Sequence, residues 1–227
     1  RAAVGEGWHR SKLYFIIGLP TETLDDVRGI GDLVVKVLAA ARDSVAPNQR
    51  SSVKVGVSVS TFVPKAHTPF QWDGQLTLEE VRERQALLRE VIPRKGCDLH
   101  WHDADVSFLE GGLARGGREM ARVIERVWRT GGTFDAWTEE FSLRRWLDAF
   151  EAEGLDPVAL ATHPRDPEAA LPWDHISAGI SRRYLVEERR RGMAGEVTPD
   201  CSFTGCTACG VCTDLGVDIV LGGASRG

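Results

Sequence analysis

Four cysteines fall within twelve residues as Cys201-x4-Cys206-x2-Cys209-x2-Cys212, and a fifth, Cys97, stands apart. Thiolates two residues apart can bind one metal centre while the intervening amides turn toward sulfur. Three at successive x2 spacing match corners of a [4Fe–4S] cubane, as in ferredoxin-type runs. Gly205 and Gly210 supply the tight turns such a loop needs. Zinc is the rival ligand, although four-cysteine zinc sites usually pair two C-x2-C elements across a longer spacer. Unliganded, redox-active thiols are the third reading. Clustering of this kind, with no signal-peptide pattern at the start of the chain, points to metal binding in a reducing compartment rather than to a disulfide scaffold. A cytoplasmic location is expected.

Two other segments are chemically suggestive. Tyr14-Phe15-Ile16-Ile17-Gly18-Leu19-Pro20-Thr21-Glu22-Thr23 reads as a strand running into a turn and then a helix start. Backbone at Gly18 can approach a flat ligand, and amides at the start of the next helix can meet a carboxylate or phosphate. Its bland reading is a plain strand-to-helix turn. Phe62-Val63-Pro64-Lys65-Ala66-His67-Thr68-Pro69-Phe70-Gln71-Trp72 is a stiff loop with two prolines, at the end of a strand where barrel enzymes carry their sites. Read structurally, it is an ordered lid without chemistry. His100 and His102 share one face of a strand, and are expected to be a strand-end pair rather than ligands. His175 is expected to be a docking contact. Arg182, Arg183, Arg189, Arg190 and Arg191 are interspersed with Glu187 and Glu188, so a solvated helix face is expected.

Periodicity supplies the elements that must position these groups. Val53 to Ser60 alternates valine with Lys, Gly and Ser, predicting a strand with one apolar face and one small, polar face formed by Gly56, Ser58 and Ser60. Thr23 with Asp26, and Thr77 with Glu80, have helix-capping spacing. Val27, Ile30, Val34, Val37, Leu38 and Ala41 follow the first cap at helical spacing. Val81, Leu88, Val91 and Ile92 follow the second until Pro93. Asp98 to His102 reads as a third strand. The first hundred residues therefore predict β-α-β-α-β with parallel strands. Three strands do not close a barrel, so a missing upstream part is expected.

Beyond Asp105 the pattern is helical. Met120, Val123, Ile124, Val127 and Trp128 form one stripe up to Gly131-Gly132, and Phe141, Trp146, Leu147 and Phe150 form another up to Gly154. A proline-rich loop (Pro157, Pro164, Pro167, Pro172) precedes a charged helix capped by Ser181 and ended by Gly192 in the C′ position. Residues 222–227 are expected to fray. The divisions read as 1–104 (part of a β/α barrel), 105–192 (helical extension) and 193–227 (cysteine-rich tail).

Among 227 residues, 28 basic and 33 acidic side chains leave a net charge of -5. No broad cationic field draws the chain to nucleic acid or membrane. No apolar run approaches the roughly 20 residues that span a bilayer.

Ile16-Ile17-Gly18-Leu19-Pro20-Thr21-Glu22-Thr23, Ser60-Thr61-Phe62-Val63-Pro64-Lys65 and His67-Thr68-Pro69-Phe70-Gln71-Trp72 together resemble the second half of a radical S-adenosylmethionine (SAM) barrel. Leu109-Glu110, Leu113-Ala114-Arg115-Gly116, Leu171-Pro172-Trp173-Asp174-His175-Ile176 and Thr198-Pro199-Asp200-Cys201 extend the likeness over nearly the whole chain. It is similar to radical SAM proteins with an N-terminal cobalamin-binding-type domain. The resemblance implies a partial parallel β/α barrel with a helical extension and a metal loop. It implies a parent enzyme in which a [4Fe–4S] cluster on a Cys-x3-Cys-x2-Cys loop cleaves S-adenosylmethionine to a 5′-deoxyadenosyl radical. Ile16, Gly18, Leu19, Pro20 and Val63 would bind that cofactor, and Cys201, Cys206, Cys209 and Cys212 would hold an additional [4Fe–4S] cluster or zinc. Cobalamin is a further implied cofactor. An upstream half of the same protein, an electron donor and an RNA or translation-linked substrate are the implied partners, the RNA without support from the charge. No Cys-x3-Cys-x2-Cys occurs in this sequence, so the chain itself is not expected to carry out the radical reaction. The competing expectation is a binding module built on a four-cysteine zinc site.

Overall fold

The structure, a computed structural model, describes residues 2–218. The end expected to fray, 222–227, lies outside the described residues. After a short helix α1 (Ala2–Gly5), the chain runs β1 (Arg10–Ile17), α2 (Leu24–Arg42), a 3-10 turn (Pro47–Gln49), β2 (Lys54–Thr61), α3 (Leu78–Val91) and β3 (Cys97–Trp101). Seven further helices follow: α4 (Ala104–Arg115), α5 (Met120–Arg129), α6 (Leu143–Ala152), α7 (Pro157–Thr162), α8 (Arg182–Met193), α9 (Cys201–Thr204) and α10 (Val211–Leu215). The fold is mixed α/β, with a small three-stranded sheet and many helices.

The sheet has the order β1-β2-β3, and both pairings are parallel. Register aligns Leu13 with Val57 and Leu99, and Tyr14 with Ser58 and His100. Because side chains alternate across a strand, this alignment sorts the faces. Val55, Val57 and Val59 are buried with Val27, Val34 and Leu38 of α2 and Leu88 of α3. The opposite face carries Lys12, Tyr14, Ile16, Gly56, Ser58, Ser60 and His100. Tyr14 is 71% and Ile16 52% exposed there. Parallel sheets are normally covered on both faces; here, among the described residues, the face on which β2 presents Gly56, Ser58 and Ser60 and β1 presents Tyr14 and Ile16 is left open.

Both capping boxes form. Thr23 Oγ1 accepts from the Asp26 amide while Asp26 accepts from the Thr23 amide, and Thr77 and Glu80 repeat the exchange. These bonds satisfy amides that the first helical turn leaves without partners.

The helical part has its own core of Leu109, Met120, Val123, Val127, Trp146, Ala149 and Phe150. Two members of the expected α5 stripe lie outside it: Ile124 is 49% and Trp128 63% exposed. A ten-residue helix meets its neighbours through a narrow stripe, and the a/d-like positions Met120, Val123 and Val127 fill it. Two other expectations need correction. The proline-rich stretch contains α7, which starts at Pro157 with Asp156 as its cap. Proline is well suited to a first helical turn. Helix α8 does not stop at Gly192 but runs to Met193, with Gly195 at φ 69° beyond its Ala194 cap. Gly192 serves space instead: a Cβ there would stand 2.9 Å from Phe70 Cζ, so the helix packs against that ring.

A third cluster joins the two parts. Trp72, fully buried, packs with Leu171, Trp173 and Leu185. Arg115 is also fully enclosed, donating to the carbonyls of Leu160, Ala161 and His163 at 2.8 Å each. Burial, and after it the Arg165 guanidinium, push its pKa down to about 10.

Candidate functional site

Two loops leave the C-terminal ends of β1 and β2 side by side, tied where the Phe62 amide donates to the Ile17 carbonyl at 2.8 Å. Gly18 adopts φ 83° and Thr21 φ 73°, the left-handed turns that reverse the chain into α2. Gly18 has no room for a side chain, since a Cβ would lie 2.9 Å from Leu76 Cδ1. Its amide donates to Glu22 Oε1 at 2.9 Å, and the same oxygen accepts from Arg84 Nε at 2.8 Å. Both side chains of that pair are about nine-tenths buried, so the turn is held by an ion pair largely shielded from water.

Beside this turn lies a cleft of about 540 Å³. Ile16, Leu19, Pro20 and Phe70 give it an apolar wall, and Glu22 and Asp26 border it with carboxylates. The Thr23 amide, then its hydroxyl, hold the Asp26 carboxyl below the ordinary aspartate range. Part of the expected anion site at the helix start is taken up by the protein's own side chains. The Gly18 and Thr23 amides already donate to Glu22 and Asp26, and the Asp26 amide to Thr23 Oγ1. Two carboxylates at the rim repel a phosphate and favour a cation.

Of the residues expected to bind a cofactor, Ile16, Leu19 and Pro20 share this cleft. Gly18 is buried beneath it, and Val63 is half-buried in the neighbouring loop, outside the lining. Sequence reading did not assign Glu22, although it lies within the quoted motif. Arg84 was also missed; its signal was faint, a charged residue one turn after the Glu80 cap whose side chain the helix turns inward.

The loop after β2 is tied to elements distant in sequence. Asp73 takes two bonds from Arg189, at 2.9 and 2.7 Å, and the Arg165 amide donates to the Trp72 carbonyl at 2.7 Å. Lys65 pairs with Glu110. Gly74 passes so close to α7 that a Cβ would lie 1.7 Å from the Thr162 oxygen. Arg189 and Arg182, which donates to the Pro167 and Ala169 carbonyls, are structural clamps, which corrects the expectation of a wholly solvated arginine face. Arg190 and Arg191 keep to that expectation, paired with Glu187 on the surface.

The cysteine loop is built differently. Cys201 opens α9, Cys206 is exposed, Cys209 precedes Gly210 (φ 101°), and Cys212 lies in α10. All four thiols are free, and the Ala208 amide donates to Cys206 Sγ at 3.3 Å, the amide-to-sulfur contact that a metal-binding turn uses. The Cys209 carbonyl accepts from the Ser181 amide at 2.8 Å, which fixes the loop to the start of α8. In donor type and in this turn the residues fit a cluster or zinc. Among the described residues, however, no group of three or more His, Cys, Asp or Glu side chains is gathered for a metal, so ligation requires the loop to draw its sulfurs together. His100, His102 and His175 are exposed and join no such group. Cys97 is buried in the first core, and burial pushes its thiol pKa up, as for an inert packing residue.

No family model matches the chain, and no solved structure matches it. An uncharacterized protein of Methanocaldococcus jannaschii is 24% identical over 149 residues, which cover 66% of this chain and 31% of that protein. The chain thus corresponds to less than a third of that relative's length. No described helix is long and apolar enough to cross a membrane.

Proposed function

We propose that the chain is the C-terminal part of a radical SAM enzyme, contributing three strands of an incomplete β/α barrel and a cysteine loop for an additional metal centre. The observation that carries this reading is the parallel β1-β2-β3 sheet, apolar under α2 and α3 and open on its second face, where the central strand β2 presents Gly56, Ser58 and Ser60. In a β/α barrel the helices cover the outside and the second face lines the interior, with the site at the C-terminal ends of the strands. The cleft beside Gly18 occupies that end. An apolar wall next to two carboxylates suits a purine attached to a positively charged group, and S-adenosylmethionine carries both a sulfonium and an ammonium. Ile16, Leu19 and Pro20 would hold the ring and Gly18 would let the backbone turn beneath it, while Val63 lies outside the cleft.

Cys201, Cys206, Cys209 and Cys212 would hold the additional centre, which as a [4Fe–4S] cluster supplies one-electron chemistry. The protein's own contribution there is positional: Ser181 anchors the loop through Cys209, and Asp200 caps α9 by accepting from the Ser202 amide. The radical reaction, its substrate (RNA or another) and the cobalamin and electron-donor partners belong to the whole protein in this reading.

Anaerobic reconstitution with iron and sulfide tests the loop. A brown protein with about four irons is expected, and Cys209→Ser should lower the iron content while leaving the sheet folded. A colourless protein with one zinc per chain would instead favour the zinc-stabilised module, which the Ala208 amide-to-sulfur contact supports equally well. Retention of full iron content by Cys209→Ser would overturn shared ligation. For the cleft, Ile16→Asp should abolish saturable binding of S-adenosylmethionine, and equal binding by the variant would overturn the assignment.

A further inference from the structure

The segment from His67 to Gln71 is a wall with two sides. Phe70 borders the cleft already described, whereas His67 and Gln71 line a second cavity of about 330 Å³. Across it stand Asp174, Ser177 and Arg182, and Ile176, Ile180 and Leu185 give it an apolar side. That volume lies at the small end of the roughly 300–1,000 Å³ typical of ligand pockets.

Gln71 is 3% exposed, and its Oε1 accepts two hydrogen bonds, from Trp173 Nε1 at 2.8 Å and from the His67 amide at 2.9 Å. Two donors on that atom settle which end of the carboxamide is oxygen. The NH2 end therefore has two hydrogens to give, and it has no partner among the described residues. That NH2 is not among the side-chain atoms sealed from solvent, so it opens to the cavity that Gln71 lines, where a ligand acceptor can take the place of water. His67 sits beside it at φ 58°, a left-handed backbone rarely adopted by a residue with a side chain, and the Gln71 bond helps to keep it there.

The opposite wall is complementary. Arg182 gives Nε to the Pro167 carbonyl at 2.9 Å, NH2 to the Pro167 and Ala169 carbonyls, and NH1 to Asp174 Oδ2 at 3.1 Å. One NH1 hydrogen remains. Asp174 Oδ2 also accepts from the Leu171 amide at 2.7 Å, leaving Oδ1 without a partner among the described residues. The cavity thus offers several N–H groups and one carboxylate oxygen, beside an aliphatic patch.

We infer that this cavity is a second small-molecule site, separate from the cleft, for a ligand of amino-acid size whose carboxylate or carboxamide oxygen is held by Gln71. The ligand's own N–H is held by Asp174 and its stem by Ile176, Ile180 and Leu185. Segment 177–181 is shared with the cysteine loop: Ser177 Oγ donates to Asp214 at 3.2 Å and the Ser181 amide to Cys209. Occupancy of the cavity is therefore placed to be felt by the cysteine loop.

The test uses the whole chain without added metal, so its outcome is independent of the cluster reading. N-acetylglycine, which carries a carboxylate, an amide carbonyl and an N–H, is titrated while the Trp173 indole N–H resonance is followed, assigned with Trp173→Phe. A saturable shift is expected. Ala178→Trp, at an exposed rim position, should remove it without lowering the melting temperature. Gln71→Glu keeps both accepted bonds but replaces the donor with a charged oxygen, and should weaken binding at least tenfold. Absence of a saturable shift in the unmodified chain, or undiminished binding in either variant, would overturn the site.

Discussion

The loop after β2 and the cysteine loop are both irregular, motif-bearing connections, yet they are stabilised by opposite means. In the first, Gln71, Trp72, Asp73 and Gln75 are all less than 9% exposed and bonded to elements distant in sequence. In the second, α9 and α10 are helices of four and five residues with no buried member. A loop can stay ordered when its backbone polar groups find partners and its side chains a core. One that lacks a core needs a ligand to fix it, as structural metals do in small domains. The contrast implies that the cleft and the second cavity exist before anything binds, whereas in the proposed reading the cysteine site is completed only by a metal.

Five substitutions break or sharpen that contrast. Trp72→Ala should have the largest effect, costing about 4 kcal/mol of unfolding free energy, because it empties the cluster that joins the sheet to α8; a urea melt measures it. A cost below that of an ordinary surface change would mean that the loop is held elsewhere. Arg84→Met should cost about 3 kcal/mol, since Glu22 would keep its burial and only the Gly18 amide. The cleft in that variant should bind S-adenosylmethionine more weakly, and unchanged binding would separate the turn from the cleft.

Thr77→Ala should cost about 1 kcal/mol by removing a helix cap. Its partner Glu80 adds a pH signature. The Thr77 amide holds that carboxyl below its ordinary range, so the folded state binds a proton less readily than the unfolded one. The associated stability is therefore present above the ordinary glutamate range and is lost as pH falls through the lower folded value. Glu80→Gln should flatten that part of an acid titration; an unchanged acid limb would show that other carboxylates dominate. Cys212→Ser is expected to have the smallest effect on the metal-free chain, under about 0.5 kcal/mol, while lowering the metal bound after reconstitution. A large loss of metal-free stability would show that the loop is already part of a core.

Much of the sheet was readable because its signals are local. Valine at alternate positions from Val55 to Val59 marks β2, and Thr-x-x-Asp and Thr-x-x-Glu form the two capping boxes. The helical extension was harder to read. Ile124 and Trp128 lie at plausible helical spacing but on a face left largely open among the described residues, and Gly192, which resembles a stop signal, accommodates Phe70 instead. The candidate sites divide in the same way. Ile16, Leu19 and Pro20 were named from their motif and share a cleft, but Val63 does not join them.

The amino-acid order by itself determined the β-α-β-α-β alternation, the helix starts and the grouping of four thiols in one short stretch, because each depends on residues within a turn or two of one another. Only the tertiary structure decided that Glu22 meets Arg84, that Gln71 keeps an unpaired NH2 at a cavity wall, that Arg189 clamps Asp73, and that the four sulfurs stand ungathered. Those outcomes depend on contacts between residues dozens of positions apart or on how a whole loop is placed, and neither is encoded in local periodicity.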